Sequence, residues 1–360
     1  GLCYAALVAL SAPADAGSSP PQGPTFCDQA PEGCIPQAGP ISSPAEGISG
    51  STQRQIEQRL QRLRCEGSDD PACAGIGGAA ADSVSYEGLG VFVSAGYQYK
   101  DKTGTDFELG FQSDSVGPTI GADYRIGNAG VVGAAFDYRH TFGDYDDGYG
   151  DFDTDLFTLL VYGSYYPTDQ SFIDAAVGFG YKQFDTKHLD PTGGAETVSG
   201  NTDGFDFTAD LTGGYDFSFG ALTVGPRIGL HYKRTELDSF TETGVGAITA
   251  YDDQVDDSLT GTVGVQATYA ISTSFGVVVP NVNAEYVREF LDDRETYTAT
   301  QFGDTFTYRG DQPDRNHFNV GGGVVVVLPD GVVPFISYEA ELANYLQDTH
   351  TVTAGVRLEY

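Results

Sequence analysis

Apolar and polar residues alternate along most of this chain with a period of two. The clearest run sets Phe205, Phe207, Ala209, Leu211, Gly213, Tyr215 and Phe217 against Asp206, Thr208, Asp210, Thr212, Gly214, Asp216 and Ser218. Alternate side chains of an extended strand point to opposite faces, so this run predicts a strand with one greasy side. Leu222, Val224, Pro226, Ile228, Leu230 and Tyr232 alternate in the same way with Thr223, Gly225, Arg227, Gly229, His231 and Lys233. So do His350, Val352, Ala354, Val356, Leu358 and Tyr360 in the last stretch.

The pattern predicts twelve strands: Leu89–Tyr99, Thr105–Ile126, Gly130–Phe142, Thr154–Tyr166, Ser171–Phe184, Asp203–Phe219, Ala221–Thr235, Ser258–Ile271, Phe275–Phe290, Arg315–Leu328, Val332–Ala343 and Thr349–Tyr360. Gly117-Pro118 is a potential break in the second, but an even count, which a bacterial barrel requires, keeps it whole. Connections alternate in length. Asn128-Ala129, Thr168-Asp169, Ser272-Thr273 and Asp330-Gly331 mark short turns, whereas Gly143–Asp153, Asp185–Thr202, Glu236–Asp257 and Leu291–Asp314 are long. Tight turns at one end and long loops at the other are the asymmetry of an outer-membrane barrel, and a soluble sandwich does not usually sort its loops this way.

No run of about 18 apolar residues exists, so no helix of the chain crosses a bilayer; a barrel strand needs only roughly 9 to 11 residues, every second one apolar. The reading is an all-β, 12-stranded antiparallel transmembrane β-barrel over residues 82–360. Its long loops are expected outside the cell and its carboxyl terminus in the periplasm. The lumen-facing set is then Asp123, Arg125, Asp174, Asp206, Asp210, Arg227, Glu285, Glu339 and Glu341. Tyr97, Tyr99, Tyr165, Tyr166, Tyr181, Tyr269 and Phe290, near strand ends, are candidates for interfacial girdles.

Ahead of the barrel the character changes. Leu2 to Leu10 is apolar and Ala14-Asp15-Ala16 fits a small-residue cleavage site, so residues 1–16 read as the remnant of a signal peptide that has lost its charged start. Residues 17–50, rich in Pro, Gly and Ser, read as a linker or a short passenger. Residues 51–81 hold one helix, Ser51 to Arg64, and a cysteine-bearing linker. Ile56, Leu60 and Leu63 share one face of that helix, and Arg54, Arg59, Arg62 and Arg64 make it positive. Fourteen residues span about 21 Å, close to the height of a barrel's membrane band. A pore helix facing acidic lumen residues is the favoured reading; a solvated or periplasmic helix is the other. Four cysteines outside the signal-like segment allow three pairings, of which Cys27-Cys34 and Cys65-Cys73 close the shortest loops. Zinc is the rival, without a histidine in the region or zinc-site spacing.

Composition sharpens this reading. A formal net charge of -33, from 51 acidic and 18 basic residues, excludes a nucleic-acid partner, whose phosphates need a basic face. With 48 Gly, 22 Tyr and 22 Phe, and neither Trp nor Met, the chain is a composition of strands and turns.

Catalytic signatures are missing: there is no G-x-S-x-G, H-E-x-x-H or G-x-x-x-x-G-K-[ST], and the five histidines are scattered. No catalytic residue, cofactor or metal site is expected. His140 near Asp144 and Asp146 is the one candidate for a rim hydrolase or protease. Asp144 to Asp155 is dense in hard oxygen ligands but lacks the spacing and glutamate of a calcium loop, so the expectation is a solvated loop binding divalent cations loosely, together with lipopolysaccharide.

Five pieces in order carry a resemblance: Gly121-Ala122-Asp123-Tyr124-Arg125; Tyr162-Gly163-Ser164-Tyr165-Tyr166-Pro167; the run from Tyr232 through Asp238-Ser239-Phe240-Thr241-Glu242-Thr243-Gly244; Pro280 with Glu285 and Glu289; and Arg357-Leu358-Glu359-Tyr360. Over Gly88 to Tyr360 the chain resembles the translocator domain of the autotransporters of Gram-negative outer membranes. The resemblance implies a twelve-stranded barrel, a helix threaded through its pore, and a last strand, with Ala354, Val356, Leu358 and Tyr360 on its apolar face, read by the barrel assembly machinery. The function expected is export or anchoring of the chain's own short amino-terminal segment, since only Gly17 to Gly88 separates the signal remnant from the first strand. A plugged structural barrel or porin-like pore without passenger is the alternative.

Overall fold

The computed structural model describes residues 88–190, 196–245, 248–291 and 294–359. The signal remnant, the linker, the helix Ser51 to Arg64, both cysteine pairs and Tyr360 lie outside these residues. Twelve long strands follow in chain order: β1 (Leu89–Lys102), β2 (Phe111–Ile126), β3 (Gly130–Tyr145), β4 (Gly150–Tyr165), β5 (Ser171–Leu189), β6 (Thr197–Tyr215), β7 (Leu222–Leu237), β8 (Gln254–Tyr269), β9 (Gly276–Glu289), β10 (Asn316–Val327), β11 (Val332–Leu342) and β12 (Gln347–Glu359).

Every strand pairs antiparallel with its sequence neighbour. The ring closes where β12 meets β1, with Gly90 opposite Glu359 and Lys102 opposite Gln347. Closure leaves the sheet without an open edge, which a lipid environment demands of any spanning β-structure. The second strand is continuous through Gly117-Pro118. The ladder to β3 skips these two residues while keeping its register on both sides, as it must where a proline brings no N–H.

The connections differ from the sequence reading in extent. Asp146–Gly148 and Tyr149 suffice between β3 and β4, because the acid-rich stretch continues the ladder, pairing Gly143 with Phe152 and Asp144 with Asp151. The same holds for β5 and β6, paired out to Leu189 and Thr197. At the other end, β6 stops at Tyr215, and Phe217–Phe219 forms a separate short strand returning onto Leu222–Val224. The two longest loops carry four short strands, Phe240–Thr241, Thr249–Tyr251, Thr296–Gln301 and Asp304–Arg309, hydrogen-bonded as a small sheet of their own.

The polarity of the wall is inside out. On β5, Phe172, Asp174, Ala176, Gly178, Gly180, Lys182, Phe184, Thr186 and His188 are buried, while Ile173, Val177, Phe179 and Tyr181 are exposed. Around the ring, exposed Val93, Ile120, Phe136, Leu159, Leu211, Ile228, Val263, Val282, Phe318, Ile336 and Val352 sit back to back with buried Ser94, Thr119, Asp137, Thr158, Thr212, Arg227, Thr262 and Thr353. A water-soluble fold does the reverse, so this exterior suits hydrocarbon.

Candidate functional site: the barrel interior and its mouth

The buried faces of the twelve strands bring together charges that are far apart in sequence. Lys182 of β5 meets Asp206 of β6 at 2.6 Å with both side chains fully buried. Arg139 reaches Asp137 at 3.1 Å, and Asp137 also accepts the Thr119 hydroxyl at 2.6 Å. His231 contacts Asp210 at 2.8 Å, and Ser164 donates to Asp174. Glutamates gather on one side of the interior: Glu289 is buried, accepts the backbone N–H groups of Leu259 and Leu291 at 2.9 Å, and takes the Ser258 hydroxyl at 2.6 Å. Its carboxylate thereby fixes the point where β9 leaves the sheet.

Of the residues the sequence assigned to the lumen, Asp123, Asp174, Asp206, Arg227 and Glu339 are buried. Arg125, Asp210, Glu285 and Glu341 are half-buried. His317 approaches Glu341 to 3.7 Å. A cavity of about 390 Å³ opens among Lys100, Lys102, Arg139, Glu285, Glu289 and His317.

Arg357 organises the seam. Its guanidinium lies over Gly90 of β1, contacts Asp123 of β2 at 3.2 Å and returns to Glu359 at 2.6 Å. Tyr162 donates to the same Asp123 at 3.3 Å. Three of the motifs singled out in sequence therefore converge on one buried cluster. Glycine makes the convergence possible, since a Cβ at Gly90 would meet the guanidinium, and one at Gly121 would meet the ring of Phe92 at 2.5 Å.

Sequence reasoning missed that the interior is not polar throughout. Near the short turns, Phe92, Val131, Ala135, Tyr162 and Ala176 pack together, and so do Val279, Val325, Val327 and Val333. Tyr166, expected in an outer girdle, packs against the first of these groups instead, because it follows buried Tyr162 and Ser164 at every second position, whereas Tyr165 between them faces out. At the long-loop end, Phe111, Phe152, Phe184 and Leu237 of the wall bury Tyr251, Tyr297, Ala299 and Tyr308 of the loop sheet. Rings meet edge to face at 5.3 Å between Phe111 and Phe152, and stack at 5.0 Å between Phe240 and Tyr251. Burial raises the hydroxyl pKa of Tyr308, Tyr251 and Tyr149 above the ordinary value.

Two polar clasps fasten this mouth. Lys102 of β1 is within 2.7 Å of both Glu108, in the first loop, and Asp311, in the loop between β9 and β10, and all three are nearly buried. Burial raises the Glu108 carboxyl above its ordinary value, an effect the Lys102 ammonium offsets only in part. His188 meets Glu242 of the loop between β7 and β8 at 2.6 Å and stacks on Tyr149, while Glu242 accepts the Thr249 N–H at 3.0 Å.

His140 faces outward, where the structure sets it against Asp155 at 3.0 Å and Asp153 at 3.9 Å instead of Asp144 and Asp146. The β3–β4 pairing decides this, since His140 lies directly opposite Asp155. Among the described residues, no group of three or more His, Cys, Asp or Glu is arranged to hold a metal ion.

The autotransporter beta-domain family model matches residues 91–339. No curated protein matches the sequence. Among solved structures, the chain is similar to the translocator domain of autotransporter NalP from Neisseria meningitidis, with a TM-score of 0.63 and 16% identity over 86% of this chain and 98% of that one. It is also similar to the beta domain of the Bordetella autotransporter BrkA (TM-score 0.57, 15% identity, 76% and 100% covered). The transport unit of AIDA-I from Escherichia coli gives a TM-score of 0.52 at 12% identity, with 84% and 99% covered. At these identities the structural likeness establishes the fold, and the family model adds the kinship: the chain is an outer-membrane β-barrel that belongs to the autotransporter beta-domain family.

Proposed function

We propose that this barrel exports or anchors the chain's own amino-terminal segment. One observation carries the reading: β1 begins at the short-turn end, where Gly88 accepts the Arg125 N–H at 2.8 Å and Gly90 lies opposite Glu359. A segment joined there reaches the long-loop side only through the lumen. In this reading the long loops are extracellular, the carboxyl terminus is periplasmic, and the apolar face of Ala354, Val356, Leu358 and Tyr360 is the signal for the assembly machinery. The helix Ser51 to Arg64 occupies the pore, its arginines complementing the interior glutamates. The mechanism is conformational and breaks no bond. The test is protease added to intact cells carrying an epitope within Gly17 to Gly50. Cleavage is expected; full protection with a correctly folded barrel would overturn the reading.

A second reading, a plugged structural barrel, is favoured by the aromatic core that packs the loop sheet against the wall at the mouth. Planar-bilayer conductance of the full chain and of a form lacking Ser51 to Arg64 separates the two. Unchanged conductance on deletion would sink the pore helix and leave the loop sheet as the plug.

A further inference from the structure

The loop between β9 and β10 reaches across the seam at which the barrel closes. It joins the wall beside β10, so β11 and β12 stand between it and β1. Its hairpin of Thr296–Gln301 and Asp304–Arg309 is packed into the mouth through Tyr297 and Tyr308, and the Gly310 N–H closes the base of that hairpin on the Glu295 carbonyl at 3.0 Å. Asp311, Gln312, Pro313 and Asp314 follow directly.

The first of these four residues holds β1. Asp311 takes the Lys102 ammonium of β1 at 2.7 Å and the Thr105 hydroxyl of the first loop, and its own N–H donates to Glu108 at 2.7 Å. Thr105 in turn accepts the N–H groups of Phe107 and Glu108 at 3.0 and 3.1 Å, which folds the first loop into a tight turn. Arg294, at the start of the β9–β10 loop, lies over the ring of Phe107 at 3.8 Å. Both ends of the β9–β10 loop therefore touch the first loop.

The others hold the approach to β12. Asp314 accepts the N–H of Tyr345 at 2.9 Å, and the Gln312 carbonyl accepts the Tyr345 hydroxyl at 3.0 Å. Tyr345 lies in the short connection from β11 to β12, where Asn344 accepts the Leu346 N–H at 2.9 Å. The Leu346 carbonyl accepts the Thr103 N–H at 2.8 Å, one step beyond the last pair of the seam ladder, Lys102 with Gln347. Four consecutive residues thus grip both sides of the join. Pro313 stands between the two grips, and its fixed φ stiffens the link.

The seam has need of such a hold. Beyond the backbone ladder, cross-strand side-chain pairs are what bind one strand to the next. At mid-height β1 and β12 oppose Ser94 with Gly355, Ala95 with Ala354 and Gly96 with Thr353, whereas β4 and β5 oppose Leu159 with Phe179 and Val161 with Val177. The small residues give the join little cross-strand packing at that height. Arg357 fastens the short-turn end through Asp123, and the four residues after the hairpin fasten the long-loop end.

We infer that Asp311, Gln312, Pro313 and Asp314 form a latch on the seam, set only once β12 has paired with β1 and holding the wall shut along that line afterwards. The order follows from geometry. Until β1 and β12 lie side by side, Lys102 and Tyr345 belong to opposite edges of an open sheet, and one short segment cannot hold both. Once set, the latch opposes fraying of the two strands from the long-loop end. An opened seam would offer unpaired backbone to other strands, so the latch also guards the barrel against strand exchange with a second copy of the chain. The inference requires the closed ring and does not depend on the export reading.

Two grips in series leave a signature: freeing either side releases the seam, and freeing both adds nothing further. The full chain, as parent, Asp311→Ala, Asp314→Ala and the double variant, is folded in detergent micelles and its folding scored by heat-modifiable migration. Hydrogen exchange is then followed at the seam amides of Tyr97 to Lys102 and Gln347 to Thr351, with the β4–β5 ladder as reference. Each single variant should speed exchange on both sides of the seam by about tenfold, the size expected from losing a hydrogen bond to a charged group, and the double variant no more, with the reference ladder unchanged. Tyr345→Phe removes a single hydroxyl and serves where an alanine variant does not fold; it should speed the seam by about threefold. Seam exchange as slow as in the parent, acceleration confined to the mutated side, effects that add in the double variant, or equal loosening of the β4–β5 ladder would each overturn the latch.

Discussion

The guanidinium of Arg357, on the last strand, passes over Gly90 of the first strand and meets Asp123 of the second at 3.2 Å. Both side chains are almost fully buried, so the pair straddles the seam at which the barrel closes. Removing one partner of a buried ion pair leaves a charge without compensation and costs about 3–5 kcal/mol. Asp123→Ala is therefore expected to lower the unfolding midpoint of the folded barrel, and Gly90→Ala to do so by pushing the guanidinium off Asp123. Urea titration followed by heat-modifiable migration checks both; an Asp123→Ala barrel as stable as the parent would refute a structural role for the seam.

The clasp at Lys102, Glu108 and Asp311 makes the mouth sensitive to pH. Burial raises the folded value of Glu108, so the native state holds its proton more tightly than the unfolded chain does. Its contribution to stability is complete below the ordinary carboxyl value of 4.5 and is lost as pH rises through the higher folded value. Hydrogen exchange of the loop between β9 and β10 should therefore quicken across that rise, and Glu108→Gln should flatten the dependence. An unchanged slope in the variant would assign the effect to another group.

The loop sheet is held by aromatic packing. Tyr308 is buried between Tyr297 and the wall residues of the mouth. Truncating a buried aromatic to alanine costs about 3–5 kcal/mol. In Tyr308→Ala this loss should appear as rapid proteolysis within the loops joining β7–β8 and β9–β10, with the barrel ladders still protected. Equal resistance of variant and parent would show that the clasps alone hold the mouth.

Insertion should depend on the end of β12. Its register with β1 runs to Glu359, beside Tyr360, and its outward face continues the apolar belt through Val352, Ala354 and Leu358. Deleting Tyr360 is expected to slow assembly in cells more than deleting a single residue from the loop joining β5 and β6. Equal yields of heat-modifiable barrel from the two deletions would contradict this.

Much of this molecule was legible in the chain. Period-two alternation identified the strands and which face of β5, β6 or β12 is greasy, because backbone geometry alone sends alternate side chains to opposite sides, and the even number a barrel requires kept the second strand whole across Gly117-Pro118. It could not locate strand ends at the mouth. Asp144 and Asp151 look like loop residues by composition, yet they continue the β3–β4 ladder, since hydrogen bonding outlasts the apolar belt. Phe111, Phe152 and Phe184 were likewise indistinguishable from lipid-facing residues until their parity on each strand was tied to a buried neighbour.

The sequence by itself determined the class of fold and which face of each strand is apolar, both of which follow from local periodicity and residue type, while its resemblance to a known family singled out the motifs that meet at the seam. Only the tertiary structure decided how distant residues meet: Arg357 with Asp123, and Lys102 with Asp311. Those meetings depend on pairing register and strand tilt, which closure of the whole ring imposes and no single stretch of chain encodes.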